Sequence, residues 1–183
     1  MRKVLLMLCL TLGVCIEGAG VAAPTPSAGA VPAPSGLTRL AVLDVELSGD
    51  LGGPELAPEH EVRLRMATGR LREALKRSGR YQLLDNAPAQ ELISRLQSQQ
   101  RYLHDCNGCD LEVGRELRAD QVMVAWVNRV SGLILTLSYE IHDVATGQIA
   151  ARKSFDFRGD NDTAWQHAID YMVRDLSSST APF

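Results

Sequence analysis

Apolar residues fall into three short runs between Gln121 and Phe157, separated by polar and glycine-containing breaks. Val122–Val127 and Leu133–Ile141 are rich in Val, Ile, Leu and Tyr, and Asn128–Gly132 divides them. Ala145-Thr146-Gly147 turns the chain into Gln148–Phe157. The composition of the runs and their turn residues predict three consecutive strands. Upstream, Leu40–Leu47 carries apolar residues at both parities, interrupted by Asp44 and Glu46, as expected of a strand buried on both faces. Tyr81–Asp85 reads as a further short strand.

Elsewhere the spacing becomes helical. Leu64, Ala67, Leu71, Ala74 and Leu75 form one stripe within Glu59–Ser78, and Gly79 closes that helix as a carboxyl cap. Pro88 opens a helix that runs to Gln100 with Ala89, Leu92, Ile93 and Leu96 on one side. Asp110 is placed to cap a short helix over Leu111–Leu117. Trp165, Ala168, Ile169, Met172, Val173 and Leu176 mark a last amphipathic helix, with Asn161 or Asp162 as its cap. The order β-α-β-α-α-β-β-β-α predicts an α/β (α+β) domain with a mixed sheet of about five strands and helices packed on it. The strand–helix–strand start suggests a parallel pair, and the later strands antiparallel hairpins.

The ends change the picture of where this domain works. Arg2 and Lys3, the apolar run Val4–Val14 and the small residues Val21-Ala22-Ala23 have the layout of a secretory signal peptide cleaved after Ala23. A lipoprotein signal at Cys15 is the competing reading. Residues 24–37 are a Pro/Ala/Ser/Gly linker, 38–177 the domain and 178–183 a tail. No later segment has the roughly 20 apolar residues of a membrane span. With 45% apolar and 22% charged residues, the composition is that of an ordinary globular domain. The formal net charge of −3 excludes the basic footprint of a nucleic-acid-binding protein. Arg63-Leu64-Arg65 and Arg70-Leu71-Arg72 read as the solvated side of a helix.

Candidate chemistry is sparse. Cys106-Asn107-Gly108-Cys109 offers a disulfide clip in an oxidising compartment, a redox-active pair, or part of a metal site with His104. Zinc wants four ligands, and His60, His142 and His167 are distant in sequence. Asp160-Asn161-Asp162 lacks the glycine and glutamate of a helix-loop-helix calcium site. No nucleophile elbow, phosphate loop or dinucleotide glycine pattern is present. The expectation is therefore no catalytic residue, no cofactor and no metal. Arg158, Asp160, Asp162 and Trp165 remain as a candidate binding surface, although Trp126 and Trp165 read as core residues before ligand platforms.

Residues 40–157 resemble, in pattern, the amino-terminal domain of TolB and the curli-secretion type of periplasmic domain. The similarity is carried by Leu40–Val45, Ser78–Tyr81, Leu84-Asp85, Leu117–Asp120, Val122–Val127 and Asp143–Gly147. Cys106–Asp110, Val127–Leu135 and Arg158–Asp162 with Trp165 also resemble an exported bacterial family of unknown function. That family usually carries Asn at the positions of Gly132 and Asp160. The resemblance implies a non-enzymatic periplasmic accessory or binding module that acts through a protein partner. It also implies a link to periplasmic quinoprotein alcohol oxidation. A thiol-redox or sensor protein using Cys106 and Cys109 is the alternative.

Overall fold

The computed structural model describes residues 36–178. The expected signal peptide, Cys15, residues 24–35 of the expected linker and residues 179–183 of the expected tail lie outside the described residues.

The first expected strand is two strands. β1 (Thr38–Val42) and β2 (Glu46–Gly49) both pair in parallel with β4 (Gln121–Arg129). Val42 lies opposite Met123 and Glu46 opposite Trp126, so one residue more is spent on this side than on β4. That is a bulge, and it leaves the Val45 N–H without a ladder partner. Thr68 of α1 (Ala57–Ser78) accepts that N–H at 2.9 Å. Arg72 of α1 bonds the Val42 carbonyl at 2.8 Å and Asp44 at 2.9 Å. The break is thus stabilised by the helix lying over it.

β3 (Tyr81–Leu83) pairs in parallel with β1. β5 (Ile134–Asp143) and β6 (Ile149–Arg158) follow β4 as antiparallel strands. The sheet has six strands among the described residues, in the order β3-β1-β4-β5-β6, with β2 beside β4. α2 (Gln90–Gln99), α3 (Cys109–Glu116) and α4 (Asp162–Ser178) complete the fold, and its mixed α+β class is the one the sequence predicts.

The alternation of side chains in β4 divides the core. Met123, Ala125 and Val127 join Leu40, Leu71, Leu75, Trp165, Ile169 and Met172 on the face covered by α1 and α4. Val122 and Val124 join Ala41, Leu43, Ile93, Leu96 and Val113 under α2 and α3. β5 contributes Leu135, Leu137, Tyr139 and Ile141 to the first face. Gly108, at φ 90°, caps α3 in place of the expected Asp110. Asp110 is instead buried in the first turn, paired with His142.

Candidate functional site

The exit turn after β6 folds inward. Gly159 N–H bonds Leu133 O at 3.0 Å and Asp160 N–H bonds Gly132 O at 3.1 Å, so the turn lies against the β4–β5 hairpin. Asn161 Oδ1 accepts Ala164 N–H at 3.0 Å and caps α4, one of the two caps expected. The Asp160 carboxylate then meets two guanidinium groups. Arg63 Nη1 donates to Oδ1 at 2.9 Å and Arg129 Nε donates to Oδ2 at 2.7 Å. Trp165 Nε1 adds a third bond at 3.1 Å, and His60 Nε2 lies 3.8 Å away.

Arg63 is only 4% exposed, so it is not on the solvated side of α1 as its local pattern suggests. Its Nε donates to Asp162 at 3.1 Å, it pairs with Glu59 one turn earlier, and its guanidinium lies 5.9 Å from the Trp165 ring centroid. Burial pulls its pKa down, but its hydrogen bonds to the Glu59 and Asp162 carboxylates and the charge of Asp160 outweigh that, leaving it above the usual arginine range. Arg129 also donates to the Asp50 carbonyl at 2.5 Å. Gly49 is required beside it: φ is +91° and a Cβ would lie 2.3 Å from Arg129 O.

Of the four residues named for this surface, the structure brings Asp160 and Trp165 inside the ion cluster. Asp162 sits at its exposed rim, and Arg158 is exposed beside it. Next to the cluster the hairpin tip presents Val130, Leu133 and Ile134, exposed by 56%, 57% and 45%. Sequence reasoning missed His60, Arg63 and Arg129 as partners. The usable signal was an arginine between apolar residues near the end of a strand, in Val127-Asn128-Arg129-Val130.

Cys106 and Cys109 are disulfide-bonded at the start of α3, and Cys109 is buried against Val113 and Val122. The loop before them is held by Glu46, which accepts Leu103 N–H at 2.7 Å, His104 N–H at 3.0 Å and pairs with His104 Nδ1 at 2.5 Å. His104 stacks on Trp126 with ring centroids 4.5 Å apart. Nearby, His142 Nδ1 lies 2.5 Å from Asp110 and Nε2 3.4 Å from Glu140, which Arg152 engages at 2.7 Å. These contacts anchor the loop. Among the described residues no group of His, Cys, Asp and Glu side chains is arranged to hold a metal ion. No helix among them is long and apolar enough to cross a membrane.

This chain is a member of the DUF3280 family, described as "Protein of unknown function (DUF2380)", which it matches over residues 38–176. No curated protein matches it. Among solved structures, the PelC dodecamer from Paraburkholderia phytofirmans is similar at 13% identity and a TM-score of 0.50, over 79% of this chain and 90% of that one. The LpoB C-terminal domain from Salmonella enterica is similar at 19% identity and 0.47, over 68% and 86%. TolB from Acinetobacter baumannii, whose amino-terminal domain the sequence pattern resembles, matches at 11% identity and 0.41, over 82% of this chain and 30% of that one.

Proposed function

We propose that the chain is an exported, non-enzymatic accessory module that docks a protein partner on the β4–β5 hairpin tip and the adjoining exit turn. The observation that carries this reading is the Arg63–Asp160–Arg129 cluster. It fixes two loops to each other and to α1 while leaving Val130, Leu133 and Ile134 outside. Arg158 lies opposite Ile134 and Asp50 N–H bonds Arg129 O, so exposed charges adjoin the exposed apolar side chains, the apolar-centre, polar-rim composition of a protein–protein contact. Ion pairs spent on holding a loop rigid lower the ordering cost of such a contact. By fold analogy alone, the similar PelC structure is a dodecamer, so that protein uses the fold for contacts between chains. Export to the periplasm rests on the amino-terminal sequence pattern, and a link to quinoprotein alcohol oxidation rests on the family resemblance.

Photo-crosslinking in the native host tests the docking surface. A crosslinker at Leu133 or Val130 is expected to give the same discrete adduct, and one at Glu91 on α2 none. The adduct should vanish with Asp160→Ala even where folded protein is recovered. Absence of a position-specific adduct at the hairpin tip sinks the reading. The thiol alternative has one structural argument in its favour, the position of Cys109 in the first turn of α3. A reduction potential below about −300 mV, the range of structural disulfides, would remove it.

A further inference from the structure

The two edges of the sheet are unlike. β3 is three residues long, whereas β6 is ten residues long and, among the described residues, borders no strand on its outer side. Gly159 N–H bonds Leu133 O, and Ile134 lies opposite Arg158. In an antiparallel ladder bonded and non-bonded pairs alternate. Phe157, Phe155, Lys153 and Ala151 therefore direct their backbone groups to β5. Arg158, Asp156, Ser154 and Arg152 direct theirs outward. The side chains agree: Thr136 Oγ1 donates to Asp156 at 2.7 Å, Ser138 and Ser154 hydroxyls lie 2.8 Å apart, and Arg152 meets Glu140 at 2.7 Å, all close cross-strand pairs.

Such an edge is usually guarded by proline, projecting charge or a covering element. β6 has no proline. The Lys153 ammonium is folded back onto Asp175 at 2.8 Å and Arg152 onto Glu140. The irregularity in the ladder lies at its first turn, between Ile141 and His142 of β5. Beside the edge runs an open groove of about 950 Å³ lined by Phe155, Phe157, His167 and Tyr171, the last 52% exposed.

We propose that β6 pairs antiparallel with β6 of a second copy of this chain, about a two-fold axis through Ser154. Outward-facing residues must meet outward-facing residues, which restricts the possible registers. In this one Ser154 faces Ser154, and Arg152 faces Asp156 of the other copy, twice by symmetry. Both side chains lie on the sheet face away from α4, so each interface carries two reciprocal opposite-charge pairs. On the α4 side, Lys153 comes opposite Phe155 and Ala151 opposite Phe157, and the groove leaves room for them. The pairing is centred on Ser154 and meets the hairpin-tip surface only at Arg158, so substitutions at positions 152 and 156 test it separately from that surface.

Light scattering of the whole exported chain is expected to show a concentration-dependent doubling of mass. Arg152→Asp alone and Asp156→Arg alone should each be monomeric, because like charges then face each other. An equimolar mixture of the two should dimerise again, the introduced Asp meeting the introduced Arg while the native Asp156 meets the native Arg152. Far-UV circular dichroism checks that each variant is folded. Ser154→Cys should form an intermolecular disulfide, since paired Cα atoms about 5.5 Å apart allow one. Ala150→Cys should not, because its two copies would lie about 26 Å apart at roughly 3.3 Å per residue. A wild-type chain that stays monomeric at its highest soluble concentration overturns the proposal. So does a variant mixture that remains monomeric, or crosslinking equal at positions 150 and 154.

Discussion

Asp160 is the residue on which two buried cations depend. Its carboxylate is bonded by Arg63, Arg129 and Trp165, and its side chain is 10% exposed. Removing it leaves two guanidinium groups away from water with fewer counter-charges, and breaking such a pair costs about 3–5 kcal/mol. Asp160→Ala is expected to lose that amount in urea unfolding, and Asp162→Ala, an exposed partner, at most about 1 kcal/mol. A similar loss for both would show that the cluster is no more than surface pairing. Two other carboxylates contribute to the acid side of stability. The Arg70 hydrogen bonds hold Asp170 below the usual carboxylate range, and the Thr146 hydroxyl and N–H do the same for Asp143. Their folded pKa values lie below the unfolded value of about 3.9, so their contribution is complete above that pH and is lost as pH falls through the folded values. Unfolding free energy measured against pH should therefore fall less steeply below about pH 4 in Asp170→Asn than in the wild type; parallel profiles would contradict the assignment.

At the scale of elements, α3 comes unusually close to the sheet. A Cβ on Gly114 would lie 2.7 Å from Val144 Cγ2 and 3.3 Å from Val122 Cβ. Neither neighbour is a flexible chain end, so Gly114→Val should cost about 1–3 kcal/mol by overpacking. Adding Val144→Ala should recover part of it, a coupling that a double-mutant cycle measures and that independent sites would not show. The elements themselves were legible because each carries its own period: β4, β5, α1 and α4 follow directly from apolar spacing. What escaped was decided by residues far along the chain. The first strand breaks at Asp44 because Thr68 on α1 accepts the Val45 N–H. Arg63 reads as solvated from its neighbours, and it is buried because Asp160 reaches it. Asp110 has the composition of a cap, but His142 on β5 draws it inside and Gly108 takes the capping position. The cysteine pair was visible from its spacing, whereas the Glu46 anchor that shapes its loop was not.

For the whole molecule, the question is whether two helical layers on one sheet behave as one folding unit. β4 supplies Met123, Ala125 and Val127 to one layer and Val122 and Val124 to the other, and all five are buried. Neither layer can lose its packing without exposing the strand that the other uses, which argues for a single cooperative transition. The chain carries its own reporters, because its two tryptophans lie on opposite faces. Trp165, on α4, is buried in the α1/α4 layer, while Trp126 packs with the second cluster and stacks on His104. Trp126→Phe leaves fluorescence that reads only the α1/α4 layer, and Trp165→Phe leaves fluorescence that reads only the α2/α3 layer. The second variant shrinks a core side chain and should be the less stable of the two. Within each variant, however, the fluorescence midpoint in urea should coincide with the far-UV circular dichroism midpoint. A Trp126 signal that moves at lower urea than circular dichroism would mean that the α2/α3 layer, with its disulfide loop, opens on its own. Reducing the Cys106–Cys109 bond sharpens the comparison. If one unit folds, both probes shift together, by about 2 kcal/mol at the lower end of the usual cost of losing a native disulfide.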